Sequence, residues 1–314
     1  MIHTYLVLTI AAIALVIRWQ WHESHSSISS ARGAKQGVKQ GTKQWSKQWW
    51  WTLTALALPP LWLLNGLIAV LLMGTGGTMW GRPVGALGSV LAVGGLGWAI
   101  AQLIIAWYQG QQSIKALQTL PTVAVQHLNT QLKARLIEQP LPYAAQVGFW
   151  RSQLVISEGF LTQLSPEQIQ AVLAHEAAHA KNHDTFVFFW LGWLHRLVAW
   201  LPGSQQLWQE LLLLREIRAD RQAAQTTDPL DVAEALLLMA KFPLQPAAAL
   251  TTGMDDELSG GGDRLDRRIQ SLIQQTQEIP TSQPASGLSS TPMLWSWGLM
   301  GIAACPLLVI ALHH

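Results

Sequence analysis

The sequence predicts a mainly α-helical integral membrane protein with four membrane-spanning helices and one α+β domain on the cytoplasmic side. Three observations carry that expectation. Charged residues make up only 12% of the chain, where an ordinary soluble protein has about 25%. Four segments are apolar over close to the roughly 20 residues that a helical span needs. One long stretch, 109–275, instead mixes short strand-like runs with capped helical ones.

Composition excludes several classes. Mean hydropathy is +0.22, and 17 Trp stand beside six Phe and three Tyr. So little charge cannot cover a soluble surface, so lipid is part of the solvent and a partner. A disordered chain needs the opposite balance. With one cysteine, Cys305, there is no disulfide framework. A net charge of +2 makes no general case for nucleic acid, and none is expected as a partner.

The spans come first. Met1–Ile17 has no charged side chain and stops at Arg18. No basic residues precede it, so it reads as a retained span and not a signal peptide. The second span is placed at Leu53–Met73, kinked by Pro59 and Pro60. The third is Val84–Tyr108, where Gly94, Gly95 and Gly97 allow close packing. The fourth is Met293–Leu312.

Basic residues orient the spans. Arg18, Arg32, Lys35, Lys39, Lys43 and Lys47 lie between spans one and two, whereas the next loop has only Arg82. The basic loop at 18–50 is therefore cytoplasmic. It follows that both termini lie outside and that 109–292 is cytoplasmic. The Lys-Gln repeat in that loop reads as a solvated segment that fixes topology, with anionic head groups as a second reading.

In the domain at 109–275, residues 113–133 read as a helix interrupted at Pro121. Ala134–Glu138, Tyr143–Gly148 and Gln153–Ser157 read as strands, the last as an edge strand to which an extended peptide could add. Ser165-Pro166-Glu167-Gln168 is a helix start, with Ser as cap, Pro first and Gln three after the cap. Asp228-Pro229 opens another helix. The apolar stretch 186–201 is short for a span and contains His195 and Arg196, so it reads as a core or interfacial helix. Residues 276–292, rich in Ser, Thr, Pro and Gln, read as a flexible linker to the fourth span.

The capped helix contains His175-Glu176-Ala177-Ala178-His179. Four residues turn a helix by about 400°, so both imidazoles leave one face a turn apart and can share one zinc ion. Glu176 lies beside them, placed to act on water at the metal. A catalytic zinc needs a third protein ligand. His183 is about 12 Å along the axis from His175 and does not reach. His195 is a candidate. Glu216 is a better one, because it lies on a helix expected at Gln205–Gln225 with Asp220 on the same face. Asp220 can then accept a hydrogen bond from a ligating imidazole. Asp184 reads as a structural carboxylate closing the metal helix. Arg267 and Arg268 read as a solvated charge run, with oxyanion stabilisation by Arg268 or His195 as the sharper alternative.

The string SEGFLTQLSPEQIQAVLAHEAAHAKNHD, followed by REIRAD, resembles the membrane-bound gluzincin peptidases. Two related types share it, the HtpX/CAAX-protease type and the BlaR/MecR antirepressor type. Val147–Gly159 and the Trp-Leu-Pro at 200–202 look more like the second. The resemblance implies a zincin domain in a multi-pass protein of a bacterial cytoplasmic membrane. It also implies zinc, one ion per chain, on His175, His179 and Glu216. Glu176 becomes the general base, Asp220 the supporting carboxylate, and Arg268 the family's downstream arginine. The activity implied is endopeptidase cleavage of a cytoplasmic or membrane-associated protein or peptide, regulatory for the BlaR/MecR type. HtpX-like quality control is the alternative, and a non-catalytic zinc-binding membrane adaptor is the rival from another class. BlaR/MecR proteins carry an external β-lactam-binding domain after the fourth span; nothing in the sequence matches it, so β-lactam sensing is not expected.

Overall fold

The computed structural model describes residues 41–73, 78–79, 82–83, 86–127, 130–241 and 261–277. The segments read as spans one and four, most of the basic loop and most of the linker lie outside them.

Two long helices come first. Helix α1 is Gly41–Met73 and continues through Pro59 and Pro60. A two-residue hairpin follows, β1 (Thr78–Met79) with β2 (Arg82–Pro83). Helix α2 is Ala86–Gln118, ten residues beyond the span read from the sequence. Gly95 faces Leu67 closely, and Ala99 packs near Ala57, Leu61 and Leu64. The two helices thus run in opposite directions. Of the three glycines expected at this contact, Gly95 makes it, while Gly94 and Gly97 face open space. Both helices are long and apolar enough to cross a membrane.

The sheet differs from expectation at its start. Residues 121–133 do not continue a helix. Strand β3 (Thr122–His127) pairs antiparallel with β4 (Thr130–Ile137). Pro121 ends the helical path, and Val123 and Val125 then alternate with the exposed Thr122, Ala124 and Gln126, which suits a half-buried strand. Strands β5 (Ala144–Val147) and β6 (Gln153–Ser157) complete the order β3-β4-β6-β5, with β4 parallel to β6 and β5 antiparallel to it. Leu154, Val155 and Ile156 of β6 are all buried, as an inner strand requires.

Ser157 joins the sheet to the helices. Its hydroxyl donates to Leu141 O and accepts from the Tyr143 and Phe160 amides, so it both holds the β5 side and caps α3 (Glu158–Gln163). Gly159 lets the chain pass against the Pro140 carbonyl, where any Cβ would clash.

Four further helices surround a fifth. Helix α4 (Pro166–Lys181) begins with the expected capping box between Ser165 and Gln168. Helix α5 is Asp184–Val198, α6 is Ser204–Ala223, α7 is Pro229–Ala240 and α8 is Gly261–Gln277. Asp228 caps α7 as expected. Helix α6 lies at the centre, touched by α1, α4, α5, α7 and α8. Its residues Leu207, Leu211, Leu212 and Leu214 are fully enclosed, each contributing about 1.5–3 kcal/mol of burial. Trp49 and Leu56 of α1 close this core from one side, with Phe188 and Leu191 of α5. Most of the segment 186–201, up to Val198, therefore forms a helix with one buried face, in keeping with the core or interfacial reading.

Candidate metal centre

The site lies where α4 meets α6. His175 and His179 leave one face of α4, and their Nε2 atoms stand 3.0 Å apart. Glu216 of α6 reaches both, with 3.3 Å from Oε2 to His175 Nε2 and 3.7 Å from Oε1 to His179 Nε2. Zn–N bonds of about 2.0–2.1 Å on a tetrahedral ion put neighbouring donors about 3.3 Å apart. The three observed spacings bracket that value. These three residues are the group that could hold a metal ion among the described residues.

The other ring nitrogens are held by carboxylates. His175 Nδ1 lies 2.9 Å from Asp220 Oδ1, although its N–H is not aimed squarely at the oxygen. His179 Nδ1 donates to Asp184 Oδ2 at 2.7 Å. A proton kept on each Nδ1 leaves each Nε2 lone pair facing the other and Glu216. Two Nε2 atoms and a carboxylate at that distance repel unless a proton or a metal cation lies among them, and their spacing is that of donors on one zinc ion. The donor set therefore fits zinc.

Each carboxylate is held in turn. Arg268 of α8 grips both oxygens of Asp220, at 2.7 and 2.8 Å, and lies 3.5 Å from Glu216 Oε2. Arg218 of α6 donates to Asp184. Arg215 donates to Glu216 at 2.7–2.8 Å. Arg267 grips Glu210 bidentately, and Gln48 of α1 donates to the same carboxylate at 2.5 Å. Arg267 and Arg268 are thus no solvated run. They are half-buried, because α8 lays this face onto α6, where acids await them.

The electrostatics follow from these contacts. Burial pushes the His175 imidazole down, but Asp220 and Glu216 outweigh it and raise it to about 10. His179 is raised against burial by Glu216 and Asp184. Burial pushes the Glu216 carboxyl up, yet Arg215, His179 and Arg268 hold it well below the usual carboxylate range. Asp220 is lowered by Arg268 and His175 against the same penalty.

The remaining candidates fall as follows. Glu176 is buried, and its Oε2 has no protein partner among the described residues. His195 stacks on Trp208, with ring planes within 10°, and belongs to the α5–α6 packing, not to the metal cluster. His183 is the turn between α4 and α5, in the left-handed region at φ 53°. That turn brings Asp184 back onto His179. Asp184 is therefore a partner of a candidate ligand and more than a helix stop. The sequence offered a signal for it, an acid five residues after the second histidine, but nothing indicated the left-handed turn. Gln153–Ser157 is not an edge strand, since β6 is flanked by β4 and β5; the edge nearest α4 is β5.

Residues 111–214 match Peptidase family M48. The match takes in the sheet, His175-Glu176 and His179, and ends two residues before Glu216. The chain is also similar to a protein named "Protease HtpX homolog" from Archaeoglobus fulgidus, with 28% identity over 138 residues. That stretch is 43% of this chain and 39% of the relative, so well under half of the relative's length is spanned. The M48-type region is thus HtpX-related, on the HtpX side of the two types the sequence resembles. With the two long apolar helices, it marks a membrane-associated protein.

Proposed function

We propose that this chain is an integral-membrane zinc metalloendopeptidase that cuts proteins in or at the membrane from the cytoplasmic side. The observation that supports it most is the convergence of two Nε2 atoms and one carboxylate at tetrahedral spacing, on a helix where the buried Glu176 directly follows His175. His175, His179 and Glu216 would hold one zinc ion, which when bound supplies Lewis-acid polarisation of the scissile carbonyl and of water. Glu176 takes a proton at Oε2 from the attacking water and delivers it to the leaving amine nitrogen. Asp220 and Asp184 keep the two rings turned so that Nε2, not Nδ1, faces the metal. The open edge of β5 accepts the substrate as an extended strand, in place of the β6 edge expected earlier. Arg268 acts through Asp220 as a positioning residue, since its guanidinium is already committed there.

A buried base oxygen without a protein partner serves no purpose in a zinc-holding adaptor, so the enzyme reading is preferred. Likeness to an HtpX homolog favours HtpX-like turnover of membrane proteins over the regulatory substrate implied by the BlaR/MecR resemblance. Four spans with both termini outside remain the topology supported by the basic residues before Trp49.

Glu176→Gln tests the chemistry. It keeps size and hydrogen-bonding shape and removes basicity. The full-length variant in vesicles should retain one zinc per chain and cleave a membrane-protein substrate at or below about one per cent of the wild-type rate. A zinc-loaded variant cutting at near wild-type rate would overturn the mechanism.

A further inference from the structure

Near the metal site, rings from three elements meet on the surface. Phe149, in the turn between β5 and β6, has Trp107 of α2, Trp150, and Phe186 and Phe189 of α5 within 5.2 Å of its ring centroid. Trp150 stacks on Phe186, and Trp190 continues the ridge beyond Phe186 and Phe189. Trp150 is 70% exposed, and Trp107 and Trp190 are also exposed. A soluble surface rarely leaves so many contiguous rings uncovered.

We propose that the ridge of Trp107, Phe149, Trp150, Phe186, Phe189 and Trp190 beds in the head-group layer of a lipid bilayer and holds the metal site at the membrane surface, so that its substrates are juxtamembrane peptide segments. The inference rests on the membrane-peptidase reading and adds where the domain meets lipid.

Depth decides the occupant. From Ala86, the start of α2, to Trp107 is 21 residues, or about 32 Å at 1.5 Å per residue. A bilayer's hydrocarbon core is about 30 Å thick. If α2 enters at Ala86, Trp107 comes out at the opposite boundary. Its outer face on the way, including Leu87, Val90, Leu91, Ile100 and Ile104, is exposed and apolar. Gln109, Gln111 and Gln112 follow directly after Tyr108. Trp51 of the oppositely directed α1 is exposed 21 residues before Leu72, which gives the same depth. The ridge is continuous with Trp107 and so lies at the level where tryptophan is enriched. Arg196 is the charge that opposes this placement. It is two turns beyond Phe189 on the same stripe of α5, between Leu194 and Leu197, which pack on Ala99, about 12 Å inside the level of Trp107, so its long stem has to carry the guanidinium back toward the phosphates. The ridge also adjoins the site. Thr185 Oγ1 donates to Phe149 O at 3.5 Å, and the preceding residue, Asp184, holds His179.

Single-cysteine labelling of the full chain tests this. In a Cys305→Ser background, an environment-sensitive fluorophore is placed at Trp150→Cys, at Leu91→Cys in α2, and at Glu234→Cys on exposed α7. Trp190→Cys is a second ridge position in case Trp150→Cys does not fold. Each protein is reconstituted in phosphatidylcholine–phosphatidylglycerol vesicles carrying quenchers either near the head groups or deep in the chains. The ridge label should be quenched by the shallow quencher at least about twofold more than the Glu234 label, and the Leu91 label by the deep one. Quenching at Leu91 with none beyond control at either ridge position would overturn the proposal and leave the membrane reading standing, with a protein cover in place of lipid. No quenching at Leu91 would overturn both.

Discussion

The two histidines of the metal helix are held by arms of the same chemistry and different construction. In one, His175 meets Asp220 of α6, which is gripped by Arg268 of α8. In the other, His179 meets Asp184 at the start of α5, which is gripped by Arg218 of α6. The first arm spans 48 residues of sequence between acid and arginine and depends on two helices docking. The second has its acid only five residues past the histidine, delivered by one left-handed residue. In the first arm even the histidine–acid contact needs the domain assembled, whereas in the second that contact forms with the α4–α5 turn and only Arg218, 34 residues from Asp184, comes from α6.

Removing one of the three candidate metal ligands gives the largest effect. His175→Ala, His179→Ala or Glu216→Ala should each abolish zinc binding, read as metal per chain after desalting. Full occupancy in Glu216→Ala would remove it from the ligand set. Breaking one arm at its acid comes next. Asp220→Asn and Asp184→Asn should each weaken zinc about 10–100-fold, the usual cost of losing such a partner. Asp220 should lie at the upper end, because its carboxylate is wholly buried and both its oxygens are gripped by Arg268. Affinities measured by competition with a chelator check the order. An unchanged affinity in Asp184→Asn would reduce the second arm to a helix stop.

How much of this was legible depended on spacing. His175 to His179 and Glu216 to Asp220 are four apart, and four is what a helix brings to one face. The capping box was legible because its partners are three residues apart. Asp184 was not, because no helical period links it to His179; the link is a backbone angle at His183. Arg267 and Arg268 misled because a pair of adjacent arginines looks alike in solvent or against buried acids. What buries them is the docking of α8 on α6. Of the hairpin at 122–137 only the end, from Ala134, was read as strand, and the rest was missed for a related reason. Its alternation is short and follows directly on a long helix, so Pro121 read as a kink and not as an end.

Protons sharpen the contrast at smaller cost. Without metal, His175 is held up at about 10 by Asp220 and Glu216, so at neutral pH it carries a proton that zinc must displace. Apparent affinity should therefore rise with pH, by about tenfold per unit for each proton displaced, and keep rising until pH approaches 10. His179 is also raised and adds to the slope. The stability of the metal-free protein runs the other way. A raised imidazole stabilises fully below about 6.5, its unfolded value, and the contribution is lost as pH climbs through 10. Asp220→Asn should lower the His175 value and flatten the affinity profile. A profile equally steep in that variant would show that the first arm does not set the proton.

The smallest effect probes the turn that makes the second arm local. His183 sits at φ 53°, where a side chain costs about 1–2 kcal/mol and glycine pays no steric penalty. Glycine instead loses about 0.5–1 kcal/mol more entropy on folding. The two nearly cancel, so His183→Gly should leave stability within about 1 kcal/mol of wild type by urea unfolding. A β-branched residue is worse placed at positive φ. His183→Val should cost about 1–2 kcal/mol and shift Asp184 off His179, lowering zinc affinity by less than the loss of the acid itself, about tenfold at most. Its slope of affinity against pH should keep the His175 contribution, since the first arm does not pass through this turn. If His183→Val lowered affinity as far as Asp220→Asn, the arms would be coupled through α4 and the local arm would not stand alone.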